Sequence, residues 1–444
     1  MSVSPARTAA YDILLAIEKV KGRSSELLPT RTKKLSDADR GLCYEIVLGV
    51  LRRRLYFERL ILIAGGKRKL DAEVSTALQI GLFQLLFLDR VPAYSAVNES
   101  VELVARARKS SAKGFVNAVL RKIQREVPIL EFADPLEEIC ITTSHPRWLV
   151  ERWCRQFGTT RSKDICEANN RTPRLSFRLT KKGADRFGIG VSDRDETISN
   201  IQADAGTEII KSELTDTGLL AERMTPGLRR LAAGGLVYFQ DEASQLVANG
   251  ISVPKSGRLL DVCAAPGGKT TLIAARESDR SGLFVAGELR WSRTELLARI
   301  CKNQSVAAAI VQLDGENPPF SDAVFDIVLI DAPCSGTGTI RNNPEIRYRL
   351  TEPDIGELSD KQLKILKRAS KCVKPGGELI YSTCSLEEDE NELVVDQFLR
   401  ENLDFCVLTV SAPARYLRSG EFVRTFPDLD ATDGFFVARM VRAG

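Results

Sequence analysis

The sequence predicts a multidomain chain in three parts: an all-α bundle, a small α+β domain, and an α/β domain built on a mostly parallel sheet. Three observations predict it. The chain has 444 residues, more than one hydrophobic core usually organises. Residues 5–127 carry apolar side chains at three- and four-residue spacing, without strand-like alternation. From residue 257 short apolar runs alternate with amphipathic stretches, as strands joined by helical crossovers do.

In the first part, "ARTAAYDILLAIEKV", "DADRGLCYEIVLGVLRRRLYFERLILIA", "STALQIGLFQLLFLD" and "SAVNESVELVARA" read as helices, and "GFVNAVLRKIQRE" as the last one. Breaks fall at "KGRSS", "GGKRK" and "RVPAYS". Basic corners are expected at Arg52–Arg54 and Lys67–Lys69. Residues 1–135 hold 23 Lys/Arg against 15 Asp/Glu, a balance of +8, whereas the whole chain carries +4. That excess suits a polyanionic partner, although solvated helix faces would look the same. Residues 128–144 read as a linker. "HPRWLVERWCRQFG" then predicts an amphipathic helix, "RLSFRLT" alternates like a strand, and a small α+β domain is expected over 145–240.

In the third part, 241–444, "RLLDVCA" precedes "KTTLIAARE", "GLFVAGEL" precedes "WSRTELLARICKN", and "AAAIVQLD" and "FDIVLIDAP" follow. "SDKQLKILKRASKCV" ends at the turn "KPGG", "ELIYSTCS" leads into "EDENELVVDQFLREN", and "GFFVARMV" closes the chain. Such strands pair in parallel under helices on both faces, and ligands bind at their carboxyl ends.

Composition narrows the chemistry. Hydrophobic residues make up 43% and charged residues 27%, the balance of an ordinary soluble protein. No apolar run approaches the ~18 residues of a membrane span. The N-terminal "MSVSPARTAAYDILL" lacks the features of a signal peptide. The expectation is a cytoplasmic protein, no membrane partner, and reduced thiols. The ten cysteines include no C-x-x-C pair, and His145 is the single histidine. No metal site is therefore expected, nor a Ser-His-Asp triad. His145, in "SHPRW", reads as structural.

"LLDVCAAPGGKTT" closes the first strand of the α/β part. A phosphate-binding loop of the G-x-x-x-x-G-K-[ST] type would need glycine at Cys263, and Asp261 would face the phosphates with the wrong charge. The alternative is a tight strand-to-helix turn at Cys263, Ala264, Ala265, Pro266, Gly267, Gly268 and Lys269, whose backbone approaches a ligand closely. Glu288 ends the next strand, where such sheets hold a ribose diol. Asp314 ends the third, placed for an adenine amino group. S-adenosylmethionine, with its ribose, adenine and amino-acid end, fits all three.

"DVCAAPGGKT", "DAPCSGTG" and "YSTCS" resemble the motifs of the ribosomal RNA cytosine-C5 methyltransferases of the RsmB/NOP family. "GFVNAVLR" and the helices before it resemble a NusB-type RNA-binding domain. The resemblance spans nearly the whole chain. It implies a NusB-like bundle over 1–135, an RNA-positioning domain over 145–240, and a Rossmann-like class I methyltransferase domain over 241–444. The chain departs from the family pattern at Glu288 (commonly aspartate), Asn342 (an arginine) and Thr180 (an asparagine).

Cytosine C5 is a poor nucleophile. A thiolate added at C6 makes C5 enamine-like, able to take a methyl group from a sulfonium donor. Two cysteines sit at strand ends, each followed by serine: Cys334 in "DAPCSGTG" and Cys384 in "YSTCSLEEDENE". Ser385 and Glu388 have capping-box spacing, so a helix is expected just after Cys384; its N-terminus lowers a thiol pKa, an effect that the acids Glu387 to Glu390 oppose where they lie close. Asp331 is placed to reach a base edge or the methyl donor, and Lys269 to add positive charge. These residues leave open which thiol attacks. The resemblance implies that the "TCS" cysteine, Cys384, is the nucleophile and the "PCS" cysteine, Cys334, assists release. Cys43, Cys140, Cys154, Cys166, Cys301, Cys372 and Cys406 read as small buried residues, and Cys263 as packing at the loop while its backbone meets the cofactor. Arg341, Arg347 and Arg349 suit either a phosphate grip or a solvated loop.

The resulting expectation is a monomeric enzyme that methylates C5 of a cytosine in 16S ribosomal RNA of an unassembled or partly assembled small subunit. The rivals are a non-catalytic NusB-like RNA-binding factor and a C5 methyltransferase acting on another RNA, such as tRNA.

Overall fold

The computed structural model describes residues 3–20, 22–66, 69–188, 194–276, 282–410 and 412–444. Chain contacts divide it into two compact units, Met1–Arg171 with Ile340–Leu350, and Thr172–Thr339 with Thr351–Gly444.

The first unit is helical. Helices Pro5–Val20, Asp37–Arg52, Arg54–Gly65, Ala72–Phe87, Ala93–Arg106 and Lys113–Arg125 pack around one apolar core that includes Tyr11, Ile46, Phe57, Leu78 and Leu120. Helices Pro135–Thr143, Arg147–Phe157 and Thr159–Ala168 complete it. Part of the stretch expected as linker, 128–144, is thus helix: Asp134 accepts from the Glu137 amide at 2.7 Å and Pro135 opens the first turn, a strong start signal.

The segment Ile340–Leu350 packs into this unit. Glu345 accepts from the Ser24 amide and hydroxyl, both at 2.8 Å. The Tyr348 hydroxyl donates to the Leu51 carbonyl at 2.8 Å. Arg347 is buried, and its Nη1 donates to Thr143 O, Ser144 O and Asn170 Oδ1 at 3.0–3.2 Å. The phosphate grip considered for Arg347 is therefore corrected: its guanidinium faces backbone carbonyls inside the protein. The basic corner at Arg52–Arg54 is corrected likewise. Arg52 is buried and bonds the Arg341 carbonyl at 3.0 Å, Arg53 lies over the Phe87 ring, and Arg54 pairs with Glu18 and Glu58. Of the other corner, Lys67 and Arg68 lie outside the described residues. His145 is fully buried beside Thr143 and Asn169, and burial holds its pKa well below the usual value. Its role is structural.

The second unit holds two sheets. Strands β1 (Leu175–Leu179), β2 (Ile209–Lys211), β3 (Gly218–Ala221) and β4 (Val237–Phe239) form an antiparallel sheet in the order β2-β3-β1-β4. Thr180 caps the helix after β1, accepting from the Gly183 amide at 3.0 Å. The larger sheet comprises β5 (Arg258–Asp261), β6 (Leu283–Glu288), β7 (Ala309–Gln312), β8 (Phe325–Asp331), β9 (Val373–Thr383), β10 (Phe405–Leu408), β11 (Leu417–Ser419), β12 (Phe422–Arg424) and β13 (Phe436–Arg442). Its order is β11-β12-β13-β9-β8-β5-β6-β7, with β10 beside β13. Strands β5 to β9 pair in parallel, and β13 runs antiparallel to β9.

Side-chain alternation builds two cores from the same strands. Leu260, Val328, Ile330 and Leu379 meet Ile365, Leu366 and Phe398 on one face. Leu259, Ile327, Leu329 and Ile380 meet Leu246, Val247 and Ile273 on the other. After β5 the chain moves outward through β6 and β7, then returns to β8 on the opposite side. The crevice beyond the carboxyl ends of β5 and β8 is thus the switch point where such sheets bind ligands.

Candidate active site

Three loops leave the carboxyl ends of β5, β8 and β9 and meet at this switch point. The first is "CAAPGGK". It turns through a cis Ala265–Pro266 peptide and through Gly267 at φ +114°, a conformation that favours glycine. The Ala264 amide donates to Gly287 O at 2.8 Å, and Arg293 Nη2 donates to Ala265 O at 2.6 Å. Arg293 Nε also lies 3.5 Å from Glu288 Oε2, so one arginine links the loop to the end of β6. Glu288 is buried and accepts from the Arg290 amide at 3.1 Å. Asp314 is exposed just beyond β7 and accepts from the Glu316 amide at 3.0 Å. Cys263 lies between Asp261 and this loop, and burial, followed by the negative charge of Asp261, pushes its thiol pKa up.

Asp261, weighed in the sequence only as evidence against phosphate, is itself part of the site. It is buried, its Oδ2 accepts from the Thr270 hydroxyl at 2.6 Å, and its Oδ1 has no hydrogen-bond partner among the described residues. Burial lifts its pKa to about 7, against the Thr270 bond and with help from Asp331. A buried acceptor left unpaired is unfavourable by about 1–3 kcal/mol. A cationic ammonium group brought to Oδ1 would satisfy it. The amino-acid end of S-adenosylmethionine carries such a group, and the residues present fit that cofactor.

Asp331, the last residue of β8, faces Ser382 of β9 in register. Its Oδ1 accepts from the Ser382 hydroxyl at 2.9 Å and its Oδ2 from Lys269 Nζ at 2.7 Å. Lys269 is buried, 4.9 Å above the centre of the Phe435 ring. Asp331 retains 32% side-chain exposure, so its fixed carboxylate still meets the crevice.

The two thiols are in contact: Cys334 Sγ lies 3.3 Å from Cys384 Sγ. Both are partly buried. The Cys384 sulfur and burial together push the Cys334 pKa well above that of a free thiol. The Gly338 amide donates to Cys384 O at 3.0 Å. A Cβ at Gly338 would stand 2.1 Å from Gly434 O, so glycine alone permits this approach.

One expectation fails here. Ser385 does not cap a helix. Its hydroxyl accepts from the Glu387 amide at 3.0 Å, a short 3-10 turn follows at Glu388–Glu390, and the α-helix starts only at Glu392. A buried carboxylate draws Ser385 away from capping: Ser385 Oγ donates to Glu390 Oε2 at 2.5 Å. Cys384 therefore lies well before the helix N-terminus, and activation by that terminus does not apply. Among the described residues, no group of three His, Cys, Asp or Glu side chains is placed to hold a metal ion.

Comparison with known proteins identifies the relatives of this chain. The family model described as 16S rRNA methyltransferase RsmB/F matches residues 251–441, that of the NusB family residues 4–125, and that of a ferredoxin-like domain of RsmF/B-like methyltransferases residues 145–187. The chain is 31% identical to the probable ribosomal RNA small subunit methyltransferase B of Bacillus subtilis over 100% of both chains. It is 33% identical to the ribosomal RNA small subunit methyltransferase B of Klebsiella pneumoniae over 96% of both. The crystal structure of PH0851 superposes with a TM-score of 0.83 at 25% identity, covering 99% of each chain.

Proposed function

This chain belongs to the 16S rRNA methyltransferase RsmB/F family, and from that membership we propose that it methylates C5 of a cytosine in 16S ribosomal RNA through a covalent bond between Cys384 and C6. The observation that carries the reading is the pair of thiols in contact beside Asp331, at the carboxyl ends of two adjacent parallel strands.

S-adenosylmethionine supplies an electrophilic methyl group on a sulfonium. Glu288 would hold its ribose diol, Asp314 its adenine edge, Asp261 its ammonium group, and the backbone of residues 263–268 its amino-acid end. The protein's own residues then divide the work. Lys269 and Ser382 fix Asp331 so that it meets the polar edge of an unstacked cytosine. Cys384 gives up its proton to water and adds to C6 as the thiolate, the electrons of the C5–C6 double bond move toward C5, and C5 becomes nucleophilic. After methyl transfer the C5 proton leaves to a base, the double bond re-forms, and the C6–sulfur bond breaks. Cys334 Sγ, 3.3 Å from Cys384 Sγ, is close enough to donate its S–H to the departing Cys384 sulfur. The assignment of Cys384 as nucleophile and Cys334 as release group comes from the family. The all-helical unit would bind the RNA. Incubation of purified protein with 16S RNA and the cofactor, followed by nucleoside mass spectrometry, tests the reading. The expected product is 5-methylcytidine, and a product methylated at another atom would overturn it.

A further inference from the structure

Glu390, within the acidic run after Cys384, has no part in the cycle described above, yet it is fully buried between the two thiol loops. Its Oε1 accepts from the Ser335 amide at 2.8 Å and from Gln362 Nε2 at 2.9 Å. Its Oε2 accepts from the hydroxyls of Ser335 and Ser385. Those hydroxyls are 3.1 Å apart. Ser335 follows Cys334 directly and Ser385 follows Cys384, so one carboxylate gathers the residue after each thiol. Its own segment is fixed too: the Tyr381 hydroxyl donates to Glu390 O at 2.6 Å, and Ser359 Oγ to Asp389 O at 2.6 Å. Burying a carboxylate is unfavourable unless its oxygens are fully bonded, which makes this network rigid.

We propose that Glu390 is a positioning residue: by stapling Ser335 to Ser385 it sets the separation of Cys334 and Cys384, and so the transfer of the reaction from the attacking thiol to the releasing one. It touches neither substrate nor cofactor. A charged acceptor is required because all four of its partners donate. Glutamine would present an NH2 to donors and push one loop away. The inference rests on the covalent cycle for its consequence, but its geometric part stands apart from that cycle.

Two measurements on the full-length protein separate the two. Diamide couples two thiols to a disulfide and takes up their two hydrogens as the hydrazine. Peptide mass spectrometry then follows the Cys334–Cys384 bridge without any turnover. Glu390→Gln should slow that coupling about tenfold or more, as expected for reacting groups misplaced by about 1 Å. In the methylation assay the same variant should keep KM for RNA, lose about 10–100-fold in kcat, and accumulate the covalent protein–RNA adduct. Should Glu390→Gln fail to fold, the Ser335→Ala/Ser385→Ala pair cuts two of the four bonds and should move both readings the same way. Coupling at the wild-type rate in both variants overturns the proposal. Slowed coupling with no adduct even in Cys334→Ala overturns the covalent cycle and leaves the staple supported.

Discussion

Asp261 shows how burial sets a pH dependence. Its pKa is raised from 3.8 to about 7, so ionising it opposes folding, and its contribution to stability falls as pH rises through that window. A cationic cofactor group at Oδ1 favours the ionised form. Cofactor binding below pH ~7 should therefore release a proton, and affinity should rise with pH to about 7 and then level. Calorimetry in buffers of different ionisation heat reads the proton directly, and Asp261→Asn should remove it. A pH-independent affinity would place the ammonium group elsewhere. Glu288→Ala should weaken the cofactor by about 1–3 kcal/mol, and unchanged affinity would take Glu288 out of the site. The thiols give the sharpest test. Cys384→Ala should form no adduct, Cys334→Ala should trap one that survives denaturing electrophoresis, and the double variant should lose it. The reverse pattern would exchange their roles. Much of this was legible because strand ends and motif residues coincide in "DAPCSG" and "YSTCS". Glu390 was not legible, since a glutamate within "EEDENE" reads as solvated charge until the fold buries it.

Periodicity was enough to recover most helices and strands, and it failed where a side chain found a partner distant in sequence. Ser385 and Glu388 have the spacing of a cap, but the Ser385 hydroxyl bonds Glu390 together with the distant Ser335 and Thr337, and the helix waits until Glu392. "IRNNPEIRYR" looked like a basic loop open to phosphate. Its arginine at 347 instead ties the αL end of the Pro135–Thr143 helix, where Ser144 has φ +57°, to Asn170. Arg347→Met should remove three buried bonds, to Thr143 O, Ser144 O and Asn170 Oδ1, and lower stability by about 1–3 kcal/mol, read from chemical denaturation. Its effect on RNA binding should be uniform in salt. A true phosphate contact would instead lower the slope of log affinity against log salt by about 0.9. A reduced slope with unchanged stability would restore the phosphate role.

The division into units is what the sequence conceals best. No composition shift or periodicity marks Ile340–Leu350 as part of the helical unit, because the evidence is contact between residues some 200–320 positions apart. Chain order explains how this is possible: the segment follows β8 and precedes the helix Glu352–Ser370 that leads to β9. Its two ends thus adjoin the strand bearing Asp331 and the helix bearing Gln362, which bonds Glu390. The segment bonds Ser24, Leu51, Thr143, Ser144 and Asn170, all within the helical unit. The helical unit should then be incomplete without it. A fragment covering residues 1–171 should melt below the corresponding transition of the full chain, and a synthetic 340–350 peptide should raise its midpoint in a dose-dependent way. At a free peptide concentration 100-fold above its Kd the gain should be about 2.7 kcal/mol. A peptide carrying Glu345→Ala and Arg347→Ala loses the bonds to Ser24, Thr143 and Asn170, and should have no effect. If the unmodified peptide also leaves the midpoint unchanged, the segment does not complete the unit.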